Sequence, residues 1–205
     1  MLEQVLFGGL AVGSIYGLVA MGFAVIFKAT EVFNFAQGMF VVCGAYFAVT
    51  AMMVLGLSFP LGVVFMVGAS VLLGAVIHAL LIQPLSGRSM LSVIMITIAL
   101  AIVLRALIEM VFGSAGRPLT TPLPSGVFQW GELRISQLHL TAMVVCWACM
   151  AGFGAFFRFT KVGLLMRATA DSHEAAVASG INVHWMNRLA WSIGSLLAAI
   201  GGLFM

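Results

Sequence analysis

The sequence predicts an all-α, polytopic transmembrane helix bundle with about six spans in a single membrane domain, residues 1–205. Hydrophobic residues make up 63% of the chain and charged residues only 7%, whereas a soluble domain carries about 25% charged residues. Polar surface is therefore too scarce to cover a globule. The 23 glycines suit helices that pack closely in lipid. Six apolar runs approach the roughly 20 residues needed to cross the hydrocarbon core. They cover 5–27, 35–57, 61–82, 91–112, 138–157 and 189–205. The last is still apolar at Met205, so the domain is expected to be incomplete at its C-terminus.

The first run starts MLEQVLFGGL, with an acid where a signal peptide has a basic region, and it continues well past a signal's length. Gly9, Gly13 and Gly17 fall on one face of it. Gly194, Ala198 and Gly202 do the same in the sixth run, and both stripes predict small-residue helix contacts. Between the first two runs, Glu31, Asn34 and Gln37 recur every three residues and would share a helix face. Two readings are open for them. They could line a translocation path, with Gly38 letting the backbone bend, or Glu31 and Asn34 could cap helix ends at the interface.

The fourth run holds Arg105 and Glu109, spaced for an ion pair. Residues 113–137 form a polar connection, in which FQW-GE-LRI predicts a small β-hairpin. In the fifth run, Cys146 and Cys149 match C-x-x-C, but they sit on an apolar helix with no further ligand nearby. Like Cys43 they are expected to be small packing residues, with no disulfide and no metal.

Orientation follows Lys and Arg. Alternate loops and their edges carry Lys28, Arg88, Arg158, Lys161, Arg167 and Arg188 on one side, against Arg117 and Arg134 on the other. That bias places residues 158–188 in the cytoplasm, and the N-terminus and residues 113–137 outside. The net charge of +3 is accounted for by this rule and gives no reason to expect nucleic acid. No catalytic residues stand out. Neither lysine, Lys28 nor Lys161, follows a glycine, so no phosphate-cradling G-x-x-x-x-G-K-[ST] exists. The six acids are too few for an obvious proton relay or hydrolytic pair.

Two stretches carry a family resemblance. The run from Gly9 to Gly22, GLAVGSIYGLVAMG, is followed by NFAQG from Asn34 and CGAY from Cys43. The second stretch is KVGLLMRATAD from Lys161, followed by EAAVASGI from Glu174. Together they resemble the permeases of branched-chain amino acid ABC importers, of the LivH/LivM type. Gly17 stands where Ala is common in that family, and the I-x-L-P that often follows the E-A-A loop of ABC permeases is not evident.

The resemblance implies a fragment of an eight-span permease in the cell inner membrane, with no cofactor of its own because ATP is bound by a partner. It implies cytoplasmic ATPase subunits, a second permease subunit (the same or a sister chain), an external substrate-binding protein and surrounding lipid. The ATPase contact would comprise Arg167, Asp171, Glu174, Ala175, Ala176 and Gly180. Local chemistry agrees. Thr169 to Ser172 offers a helix N-cap, Glu174 suits a first turn, and Gly180 would end the helix. Cargoes other than leucine, isoleucine or valine, such as urea or short amides, fit the same family. A secondary transporter or channel working without an ATPase is the alternative outside it.

Overall fold

The computed structural model describes residues 2–85, 87–113, 126–130 and 133–205. In chain order, α1 is Leu2–Thr30 and α2 is Gln37–Val49, continued by a π-helical turn at Thr50–Val54. α3, Phe59–Ile77, carries Pro60 in its first turn, where the missing N–H costs nothing. It continues through a π-helical turn at His78–Ile82 and a tight turn at Gln83–Leu85, which contains Pro84. α4 is Met90–Phe112 and α5 is Gln137–Phe159. Between them β1, Val127–Trp130, pairs antiparallel with β2, Leu133–Ser136, in the register Val127 to Ser136 and Trp130 to Leu133. The hairpin expected from FQW-GE-LRI is thus formed. The remainder of the 113–137 connection, residues 114–125 and 131–132, lies outside the described residues. α6 is Lys161–Asp171, α7 is His173–Ala178 and α8 is Val183–Gly202.

Among the described residues five segments are long and apolar enough to cross a membrane: Gln4–Thr30, Gln37–Val54, Phe59–Leu85, Met90–Phe112 and Gln137–Phe159. The sixth expected span needs correction. Its helix begins at Val183 rather than at residue 189, and its first turns carry His184, Asn187 and Arg188. It is not among the segments apolar enough to face lipid. The reason is its position. α8 is the central helix of the bundle, packed on α1, α2 and α3. Trp191, Ser195, Ala198 and Ala199 are fully buried, so neighbouring helices rather than lipid cover its polar groups. The outer faces of α1, α3 and α4 expose Leu, Val and Ile, as a lipid-facing surface requires.

Small residues set how closely α8 can approach. A Cβ added at Gly22 of α1 would lie 2.8 Å from the Gly194 carbonyl, and one at Gly194 would lie 2.8 Å from the Gly22 carbonyl. Added Cβ atoms at Gly44 and Gly74 would collide with the α8 backbone at Ala199 and Trp191. One at Gly202 would strike the Val41 carbonyl of α2. The α8 stripe of Gly194, Ala198 and Gly202 therefore lies inside the bundle. The α1 stripe is different and is corrected. Among the described residues nothing lies within 4 Å of a Cβ built at Gly9 or Gly13, and only the Met150 sulfur, at 3.8 Å, meets one at Gly17. The buried face of α1 is the adjacent one, running through Ile15, Leu18, Ile26 and Ala29.

Candidate functional site

The chain between α1 and α2 leaves helical geometry. α1 ends at Thr30, and Glu31 has φ 55°, a left-handed conformation that an acidic side chain adopts at a cost of roughly 1 kcal/mol. The Glu31 N–H still donates to the Phe27 carbonyl at 2.7 Å, so Glu31 closes α1 where glycine is usual. Residues 31–36 are non-helical, and Gln37 opens α2. The single-face lining expected of Glu31, Asn34 and Gln37 is therefore not formed, because no helix runs through them. Gly38 does not make the bend either. It lies within α2, and the reversal occurs before it.

Asn34 and Gln37 turn into the protein. Asn34 is 1% exposed and Gln37 6%. The Asn34 amide donates to Gln37 Oε1 at 3.0 Å, while Asn34 Oδ1 accepts from the Ala36 N–H at 3.1 Å. Gln37 Nε2 donates toward the Gly194 carbonyl at 3.3 Å and lies 3.5 Å from the Val19 carbonyl. This network ties the break to the backbones of α8 and α1. From α4, the buried Thr97 hydroxyl accepts from the Phe35 N–H at 3.4 Å and lies 3.2 Å from the Phe33 carbonyl. The capping expected of Glu31 and Asn34 is not seen at α2, whose start receives no side-chain cap hydrogen bond; Asn34 and Gln37 instead bond each other and the chain around the break. Gln37→Leu is expected to leave the buried Asn34 amide without its partner and to cost about 1–3 kcal/mol. A lowered thermal midpoint of the detergent-purified protein would register it; an unchanged midpoint would show that the network carries little.

Glu31 lines a cavity of about 440 Å³. Its walls come from the α1 end, the π-helical turn of α3, the start of α4, the end of α6, the start of α7, and Asn187 of α8. Lys28, Glu31, Arg88 and Asp171 are exposed on it, while His78, Thr169 and Asn187 are buried. Among the described residues no ion pair joins any of these charges. Glu31 and Asp171, expected in separate roles, thus share one cavity.

The 158–188 segment wraps the same end. Thr160 caps α6 by accepting from the Gly163 N–H at 3.0 Å. Ser172 caps α7, accepting from the Ala175 N–H at 3.2 Å. Thr169 does not serve as that cap; its hydroxyl donates to the Leu165 carbonyl at 2.9 Å within α6. Asp171 is the last residue of α6, and a break at Ser172 separates it from the short helix α7. α7 ends as expected at Gly180. With φ 78°, Gly180 donates its N–H to the Val177 carbonyl, and Ile181 donates to the Ala176 carbonyl, both at 3.0 Å. This is a Schellman closure that a side chain at 180 would strain.

Two coupling residues are placed differently from expectation. Ala176 is 3% exposed and packs inward, which leaves Glu174, Ala175, Val177 and Ala178 as the outer face of α7. Arg167 folds back on α5. It donates to the Arg158 carbonyl at 3.4 Å and lies 6.0 Å from the Phe157 ring centre. A cation there suits the C-terminal end of α5.

The other polar features stay structural. Arg105 and Glu109 pair at 2.8 Å on the exposed face of α4. Among the described residues no three His, Cys, Asp or Glu side chains are grouped to hold a metal ion. Sequence reasoning missed His78 and Asn187 as cavity residues. The signal that could have found Asn187 is a polar side chain early in a helix otherwise read as apolar.

The family model described as "Branched-chain amino acid transport system / permease component" matches residues 5–205. The chain belongs to that permease family. The high-affinity branched-chain amino acid transport system permease protein BraD of Pseudomonas aeruginosa is 29% identical, over 98% of this chain and 70% of the relative. The corresponding LivH proteins of Escherichia coli strain K12 and Salmonella typhimurium are each 26% identical over the same shares. No solved structure matches. Membership and the apolar helices make the chain a multi-pass inner-membrane protein.

Proposed function

We propose that this chain is the permease subunit of an ATP-binding cassette importer. It translocates branched-chain or related amino acids, and a separate cytoplasmic ATPase drives it through α7. A second permease subunit, the same chain or a sister, and an external binding protein complete the assembly. The chain carries no ATPase site of its own. The N-terminus lies outside and residues 158–188 lie in the cytoplasm.

The observation that carries this reading is the build of the 158–188 segment. α7 is short, capped at both ends, exposed along Glu174, Ala175, Val177 and Ala178, and anchored by Ala176. Behind it, Met166 of α6 belongs to a buried cluster with Ala29 of α1 and with Met186 and Ala190 of α8. A partner pushing on α7 would therefore push on the central helix. The cavity gathers the α1–α2 and α3–α4 connections and the end of α6 at one end, where Lys28 and Arg88 line it. That grouping supports the assigned orientation.

Co-purification tests the contact. Glu174→Lys and Gly180→Trp are expected to abolish retention of the ATPase by the detergent-purified permease while leaving its elution profile unchanged. Undiminished ATPase retention in both variants would remove α7 as the docking element.

A further inference from the structure

The cavity between the bundle and the 158–188 segment has a lining that the docking role does not use. Its exposed edge carries two cations, Lys28 and Arg88, and two anions, Glu31 and Asp171. One part of its wall is aliphatic, from Ile82, Leu85, Val93 and Ile94. Deeper, His78 is 2% exposed and Asn187 9% exposed. Both line the cavity, and among the described residues His78 Nδ1 and Asn187 Oδ1 have no hydrogen-bond partner. Buried polar atoms are normally paired, and an unpaired one calls for an explanation. At about 440 Å³ the space falls within the range of roughly 300–1,000 Å³ typical of small-molecule sites.

We propose that this cavity binds an aliphatic amino acid zwitterion arriving from the coupling-loop side, and that the occupied site holds α6 and α7 against the bundle, so the imported product slows further uptake. Arg88 or Lys28 meets the carboxylate. Glu31 or Asp171 meets the ammonium, and Asn187 Oδ1, buried behind the cavity surface, gains its partner only as the wall yields to the ligand. The aliphatic wall takes the side chain. The mechanical consequence follows from which elements meet. Thr169, Ala170, Asp171 and His173 of the coupling segment form one wall, and α1, α3, α4 and α8 form the others. A ligand touching both sides favours the arrangement in which they are together and opposes any motion of α7 that separates them.

The inference rests on the importer reading for its ligand, and one experiment separates the two. The complete transporter is reconstituted with ATP enclosed on the coupling-loop side and binding protein outside. Initial uptake of labelled L-valine is then compared between vesicles preloaded with millimolar unlabelled L-valine and empty ones. Enclosed valine is expected to slow uptake about fivefold. Arg88→Gln, at an exposed position, and Asn187→Leu are each expected to transport normally into empty vesicles and to lose the inhibition.

If no valine enters even empty vesicles, the importer reading for this cargo fails. If valine enters but enclosed valine has no effect, or inhibits both variants as strongly as the unsubstituted protein, the cavity proposal is overturned. Enclosed phosphoethanolamine carries an ammonium and an anion without an aliphatic side chain. Inhibition by it but not by valine would reassign the site to a lipid headgroup and overturn the proposal.

Discussion

Gly202→Val is expected to abolish the folded bundle, and Gly44→Val to do nearly the same. Both positions lie where α2 and α8 touch backbone to backbone. A Cβ at Gly202 would collide with the Val41 carbonyl, and one at Gly44 with the Ala199 backbone. No flexible side chain stands there to yield. Overpacking in a well-packed core usually costs about 1–3 kcal/mol, and a clash with main chain belongs at or above the top of that range. The bundle would have to separate α8 from α2, and Trp191 would lose its contact with Phe40. Gly9→Val serves as the internal control, because among the described residues nothing within 4 Å obstructs a Cβ there. Size-exclusion profiles and thermal midpoints in detergent should show aggregation or a large downward shift for 202 and 44, and little change for 9. Equal tolerance at all three would contradict the central placement of α8.

Val177→Asp is expected to reduce ATP-driven uptake by at least about tenfold, a loss of about 1.4 kcal/mol or more in the productive contact. Val177 is 59% exposed, and an exposed substitution away from special features usually changes stability by less than about 0.5 kcal/mol. The permease should therefore remain folded. A hydrophobic group exposed on a capped helix outside the spans is the kind of anchor that fills a partner's groove, and a carboxylate there would be buried without a partner. Parallel measurement of thermal midpoint and uptake separates the possibilities. Lost uptake with an unchanged midpoint places the defect in docking. Normal uptake would exclude Val177 from the contact.

Several parts of this arrangement were legible in the sequence because one local rule decided each. The hairpin followed from two short runs around Gly-Glu. The end of α7 followed from Gly180, whose φ of 78° few other residues tolerate. The first five spans followed from apolar length alone.

What was not legible depended on neighbours. A helix at the centre of a bundle can keep Asn187 buried and Arg188 half-buried in its first turns, because other helices cover it, while His184 stays exposed at its start; hydropathy reads the sequence as though lipid covered all of it. Small-residue spacing marks a face able to approach closely, yet α1 uses the face of Ile15 and Leu18 rather than that of Gly9 and Gly13. Thr169 and Ser172 both offered a cap, and the choice fell to Ser172 because Thr169 was taken up within α6. Asn34 and Gln37 looked like path residues because polarity in lipid is expensive. Asn34 bonds locally, to Gln37 and the Ala36 N–H, but Gln37 reaches the Gly194 and Val19 carbonyls on other helices, and no local spacing shows that.

Reconstitution with and without the ATPase tests the central claim most directly: that this chain takes its energy from another subunit through α7. Vesicles containing the permease assembly, binding protein and labelled branched-chain amino acid are compared with enclosed ATP, with a non-hydrolysable analogue, and without the ATPase. Concentrative uptake is predicted only where the ATPase and hydrolysable ATP are both present. Uptake that persists undiminished without the ATPase would show that the chain works as a secondary carrier or channel and would contradict the account.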